Sequence, residues 1–198
     1  MKLYLVRHGE TSWNKEGRLQ GRTDIGLNEE GRKVAEWTCE GLKDVEFEIA
    51  FTSPLKRARQ TAELILKGRN IPIIDEDRLI EFSFGTYEGT YKTTWDDNMK
   101  NFFRKTEDYV PTEGGEPVEE VLKRVDEFLQ ELIHIPEYKD STILISTHGA
   151  ALNAILTNIR KNPVSKFWEG GLHKNCGISI VEVRDGVPMI EQEAIVFY

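Results

Sequence analysis

Only two cysteines, Cys39 and Cys176, occur in 198 residues. They lie far apart, with neither metal-ligand nor redox spacing, so no disulfide framework can hold this chain together. No apolar run approaches the roughly 18 residues of a membrane span. The apolar start at 1–6 is too short for the core of a signal peptide. Positive charge is also scarce: 26 Lys and Arg face 34 Asp and Glu, a net charge of −8. That balance excludes a broad nucleic-acid surface or an anionic-membrane surface, and it confines any anionic ligand to a locally basic pocket. The expectation is a cytoplasmic protein with reduced thiols and with neither nucleic acid nor membrane as partner; its oligomeric state is left open.

Apolar residues make up 39% of the chain and aromatics 10%, enough core for one domain over 1–198. Short runs at 2–6, 48–52, 71–74 and 142–146 are rich in β-branched or large apolar residues and bounded by turn formers, and they read as strands. Between them, 28–42 is a helical stretch with Val34, Trp37, Thr38 and Gly41 on one face. Ser53-Pro54 offers an N-cap and an N1 proline for a helix running to 66. This alternation predicts an α/β fold: three layers, with a mostly parallel central sheet between flanking helices. Runs at 178–183 and 188–196, joined through Asp185-Gly186, predict a terminal antiparallel hairpin that makes the sheet mixed.

The rhythm breaks over about 82–140, which reads as an inserted helical cap with a loop at 111–117 and a helix at 118–134. Eight of the chain's 19 aromatics fall within 82–109, suited to a small satellite core, to an apolar wall beside a substrate, or to both. His134 and His173 fit no motif and are expected on the surface or in the cap.

Four polar clusters each follow an expected strand: Arg7-His8-Gly9-Glu10, Ser53 with Arg57, Glu81, and Thr147-His148-Gly149. In a parallel sheet these positions share the carboxyl edge, where ligands of open α/β sheets bind. Two guanidiniums there can grip phosphate oxygens, helped by helix N-termini after Ser53 and His148. Arginines beside an imidazole disfavour its protonated form, which leaves a neutral histidine able to attack phosphorus. The departing alkoxide needs a proton, and Glu81, in an apolar setting between Ile80 and Phe82, is positioned to give it. Two histidines with scattered carboxylates do not make metal-ligand spacing, so no metal is expected.

The series Leu5-Val6-Arg7-His8-Gly9-Glu10-Thr11 with Trp13-Asn14, then Gln20-Gly21, Asp24, Leu27 and Gly31, then Ser53-Pro54-Leu55-Lys56-Arg57-Ala58 with Gln60-Thr61-Ala62, then Leu79, Glu81, Gly85 and Glu88-Gly89, then Gly114-Gly115-Glu116 and Thr147-His148-Gly149 resembles the histidine phosphatase superfamily. That group includes cofactor-dependent phosphoglycerate mutases and broad-specificity phosphatases, and the resemblance covers nearly the whole chain. It implies a phosphohistidine on His8, with Arg7, Arg57 and His148 around the phosphoryl group and Glu81 as acid and then base. It further implies that Asn14, Gln20, Gly21 and Gly149 bind substrate and that neither metal nor organic cofactor takes part.

After Glu81 the similar mutases continue Arg-His-Tyr-Gly, whereas this chain has Phe82-Ser83-Phe84-Gly85. Ala150 and Asn153 stand where those mutases carry Asn and Arg, and the stretch from Glu81 to His148 is shorter. Fewer basic partners for a second anionic group favour a hydrolase of small phosphomonoesters. The alternatives are a phosphoglycerate mutase, a ribazole-phosphate phosphatase as a specific role, and a module that binds phosphorylated ligands without turnover. Glu10 is expected to anchor its loop.

Overall fold

The computed structural model describes residues 1–198. Six strands form one sheet: β1 (Lys2–Arg7), β2 (Ile49–Thr52), β3 (Ile73–Asp75), β4 (Thr142–Thr147), β5 (Ile178–Arg184) and β6 (Val187–Ile195). Their spatial order is β3-β2-β4-β1-β5-β6, the first four parallel and the last two antiparallel to their neighbours. The mixed sheet expected from the sequence is present. Its hairpin turns through Asp185 and Gly186, both with positive φ (52° and 75°), the twist that a two-residue type I′ turn requires. The third strand begins two residues later than expected and is short and largely exposed, as suits an edge.

Side chains alternate across β1. Leu3 and Leu5 enter a core with Phe51, Ile143 and Ile145 on one face of the sheet. Tyr4 and Val6 enter a second core with Ala50 and Leu144 on the other. Helices α2 (Glu29–Gly41) and α3 (Lys56–Ile65) cover the second face, while α5 (Val118–Ile133) and α6 (Gly149–Arg160) cover the first. Two further helices, α1 (Ser12–Glu16) and α4 (Asp97–Arg104), were not anticipated. Asn28 caps α2, but the buried stripe is Gly31, Val34, Ala35 and Thr38, at the 3–4 spacing of one face. Trp37 falls just off that stripe, is half exposed and stacks on Tyr198. Ser53 does not cap α3, which starts at Lys56 after an uncapped Leu55.

The stretch expected as one cap divides in two. Helix α5 buries Val121, Val125, Phe128, Leu129 and Leu132 in the core beneath the sheet and so belongs to the layered body. Residues from Phe82 to the turn at Gly114 and Gly115 form the covering part. There Phe82, Phe84, Phe102 and Tyr109 pack ring against ring, with centroids 4.8–5.9 Å apart. No helix is long and apolar enough to cross a membrane.

Candidate active site

The parallel register brings the chemistry together. Arg7 at the end of β1 sits beside Thr147 at the end of β4, and Thr52 of β2 beside Ser146. His8 N–H donates to the Thr147 carbonyl (2.9 Å) and Ser53 N–H to that of Ser146 (3.0 Å), which extends the ladder into the loops. The His8 and His148 rings therefore meet, with centroids 5.2 Å apart. Gly31, in the first turn of α2, lets that helix approach the loop after His8: a Cβ there would stand 2.1 Å from the Glu10 carbonyl oxygen.

The His8 ring is almost wholly buried, and its Nδ1 lies 2.7 Å from the Gly9 carbonyl oxygen. A carbonyl only accepts, so Nδ1 carries the hydrogen and Nε2 keeps a lone pair. Burial first, then the charges of Arg57 and Arg7, hold this imidazole well below its ordinary pKa and therefore neutral. His148 is fully buried and is likewise pushed well below, by burial first and then by Arg57 and His8. Its Nε2 lies 2.7 Å from Ser53 Oγ, and its Nδ1 has no protein partner. His148, expected among the substrate-binding residues, is fully buried and does not line the cavity in this structure.

Arg57 is 1% exposed. It donates from Nη1 to the Thr23 carbonyl (2.8 Å) and from Nη2 to that of Gly21 (2.6 Å), leaving Nε unpaired. Burial lowers its pKa to about 10, so it stays cationic at neutral pH. Arg7 donates from Nη1 to the His173 carbonyl and likewise keeps a buried, unpaired Nε. Gly21 has φ +54°, and a Cβ there would lie 2.1 Å from Glu88 Oε1, so a side chain at this position is strained and displaces Glu88.

Glu81 is 8% exposed, but its carboxylate is not in the apolar setting that Ile80 and Phe82 suggested. It accepts N–H bonds from Phe82 (2.9 Å), Ala151 (3.0 Å) and Ala150 (3.3 Å), the last two from the first turn of α6. The donors at that helix N-terminus, expected to face phosphate, are spent on Glu81.

Arg7, His8, Asn14, Gln20, Gly21, Arg57, Glu81 and Gly149 all line one cavity of about 650 Å³. Asn14 and Gln20 are also structural, since their side-chain oxygens accept the Thr11 hydroxyl at 3.2 and 2.8 Å. Glu10 accepts from Asn28 Nδ2 (2.7 Å), the anchoring role expected, and also touches the cavity.

Aromatic residues form both a packed core and part of the cavity wall. Phe84, Trp95 and Phe102 belong to the core and also form the cavity wall, together with Phe103 and Trp168. Phe82 is fully buried in the core, and Ser83 donates to the Gly114 carbonyl, so neither faces the cavity. Beside Arg7 and Arg57, four further cations line it: Arg18, Lys92, Lys100 and Arg104. The Arg18 guanidinium lies 4.2 Å from the Trp13 ring centroid and 5.4 Å from that of Tyr91, and its Nε donates to the Gly89 carbonyl. Sequence reading passed over these cations because surface Lys and Arg look alike before folding. It also missed Asn175, which donates to the His8 carbonyl (3.0 Å). His173, expected on the surface, is 2% exposed and bonded through Nε2 to Ser179 Oγ (2.6 Å).

The family model described as histidine phosphatase superfamily (branch 1) matches residues 3–195, and the chain belongs to that superfamily. It is 32% identical over 188 residues to phosphoserine phosphatase 1 of Hydrogenobacter thermophilus, covering 93% of this chain and 88% of that one. It is 36% identical over 166 residues to a 2,3-bisphosphoglycerate-dependent phosphoglycerate mutase of Cytophaga hutchinsonii, covering 80% and 77%. Among solved structures, Bacillus stearothermophilus YhfR superposes with a TM-score of 0.91 at 33% identity, over 98% of this chain and 97% of that one.

Proposed function

We propose that the chain is a metal-independent hydrolase of small phosphomonoesters that works through a phosphohistidine on His8. The observation that carries this reading is a neutral, buried imidazole whose Nδ1 is tied to Gly9, leaving Nε2 as the nucleophile in a cavity also lined by Arg7, Arg57 and Glu81. Arg7 and Arg57 both line that cavity, and their guanidiniums are cationic donors for phosphate oxygens. They supply the positive charge that offsets the phosphoryl group's own. Nε2 of His8 attacks phosphorus, the P–O bond to the leaving group breaks, and Glu81, carrying a proton on Oε2, the oxygen with only the 3.3 Å contact to Ala150 N–H, gives that proton to the departing oxygen. Glu81, now ionised, takes a proton from water as that water attacks phosphorus. The N–P bond breaks, and inorganic phosphate and free His8 are left.

The rest of the cavity points to a substrate with an apolar body and a second negative group, set against the aromatic wall and the cations Arg18, Lys92, Lys100 and Arg104. Those cations also favour a second reading, a phosphoglycerate mutase. The volume argues for hydrolysis: a three-carbon acid fills only part of about 650 Å³ and leaves water access to the phosphoenzyme.

Rapid-quench labelling with a phosphomonoester, in chelator, tests the proposal. The expected result is an acid-labile, base-stable phosphoenzyme in the wild type and none in His8→Ala, with phosphate released from 3-phosphoglycerate and no 2-phosphoglycerate formed. Turnover that survives His8→Ala would sink it, and isomer formation would replace it with the mutase.

A further inference from the structure

We infer that Glu116 is a positioning residue for Glu81, acting through Arg22 and Arg124; this rests on Glu81 being the proton donor. Glu116 ends the turn of Gly114 and Gly115 just before α5 and is 9% exposed. Its Oε1 accepts from Arg124 Nε (2.9 Å), while Oε2 accepts from Arg22 Nη2 (2.9 Å) and Arg124 Nη2 (3.2 Å). Both guanidiniums then donate to one further acceptor, the main-chain carbonyl oxygen of Glu81, from Arg22 Nε at 3.2 Å and Arg124 Nη2 at 3.4 Å. Arg124 Nη1 also donates to the Arg78 carbonyl, so the chain leading into Glu81 is held at two points.

Two cations converging on one carbonyl repel each other, and the Glu116 carboxylate between them is what allows the arrangement. The same unit reaches the other side of the cavity. Arg22 belongs to the loop whose Gly21 and Thr23 carbonyls hold Arg57, and Glu88 accepts the N–H groups of Arg22 and Thr23 at 3.0 Å each. Glu116 therefore fixes the spacing between the phosphate-gripping arginine and the acid. Proton transfer demands that spacing, because the donor must come within about 2.6–3.2 Å of the leaving oxygen.

The test compares a poor leaving group, glycerol 3-phosphate, with a good one, p-nitrophenyl phosphate, in wild type, Glu81→Gln, Glu116→Gln and Arg22→Gln. The acid matters for the first ester and little for the second. Glu116→Gln keeps the shape and removes the charge, and Arg22, at 40% side-chain exposure, can be changed without leaving a deeply buried gap. Should Glu116→Gln fail to fold by its melting profile, Arg22→Gln carries the test. The expected result is a kcat loss on glycerol 3-phosphate at least about tenfold greater than on p-nitrophenyl phosphate in Glu116→Gln, the order expected of a small misplacement. Arg22→Gln should show a smaller bias in the same direction. A bias in Glu81→Gln, with equal losses on both esters in the other two variants, would overturn the positioning role and leave the proton-donor reading standing. Equal losses in Glu81→Gln itself would overturn both.

Discussion

His173 makes acid stability a quantitative test of this architecture. Its imidazole is pushed down to about 4, by burial first, reinforced by Arg7 and Arg160 and opposed by Glu193. In the unfolded chain it titrates near 6.5. Below that pH the unfolded state binds a proton the folded state refuses, so this contribution to stability is fully present above 6.5. It is lost progressively as pH falls towards 4. Between pH 7 and pH 5 the loss is about 2 kcal/mol, from 1.36 kcal/mol per unit of difference in protonation. With a urea m-value of about 2 kcal/mol/M, that moves the unfolding midpoint by about 1 M. The comparison is wild type against His173→Gln, which keeps a polar partner for Ser179 and does not titrate. The variant starts less stable at pH 7 but should lose about 2 kcal/mol less on going to pH 5. His8 and His148 contribute in the same direction in both proteins and cancel in the difference. Equal losses in wild type and variant would refute the reasoning.

Two more substitutions probe the proposed phosphate grip. Arg57→Lys keeps the charge but cannot hold both the Gly21 and Thr23 carbonyls; kcat/KM should fall about 10- to 100-fold, from roughly 1.5–3 kcal/mol of charged hydrogen bonding, measured by steady-state kinetics. Gly21→Ala forces a side chain into a left-handed backbone and against Glu88, so the melting temperature and kcat/KM should both drop, with at least about 1–2 kcal/mol lost from the backbone term alone.

The strand ends were legible in the sequence because a parallel sheet has only one edge at which Arg7, Ser53 and Thr147 can all finish. Knowing the strands was enough to bring His8 and His148 to one edge; that they are neighbours follows from the strand order, which places β1 beside β4. Helix α4 was not legible: it is eight residues long and buries only Met99 and Phe102, too few apolar positions to set a period. Ser53 misled in the opposite direction. A serine before proline looks like a cap, but its hydroxyl lies against His148 Nε2, a partner 95 residues away. Arg18 and Lys92 were beyond local rules for the same reason, since what distinguishes them from solvated cations is the folding of the cap against the loop after His8.

The strand that leads into His8 has a consequence for how the protein comes into being. β1 is an interior strand, with Lys2 paired to Thr142 on one side and Glu182 on the other. Once made, this strand has no partner until the strands some 140 and 180 positions downstream exist. Contacts that distant in sequence slow folding. They also mean that a growing chain stopped before residue 178 has one whole side of β1 open, so the strand that leads into His8 is enclosed only after β5 has been made.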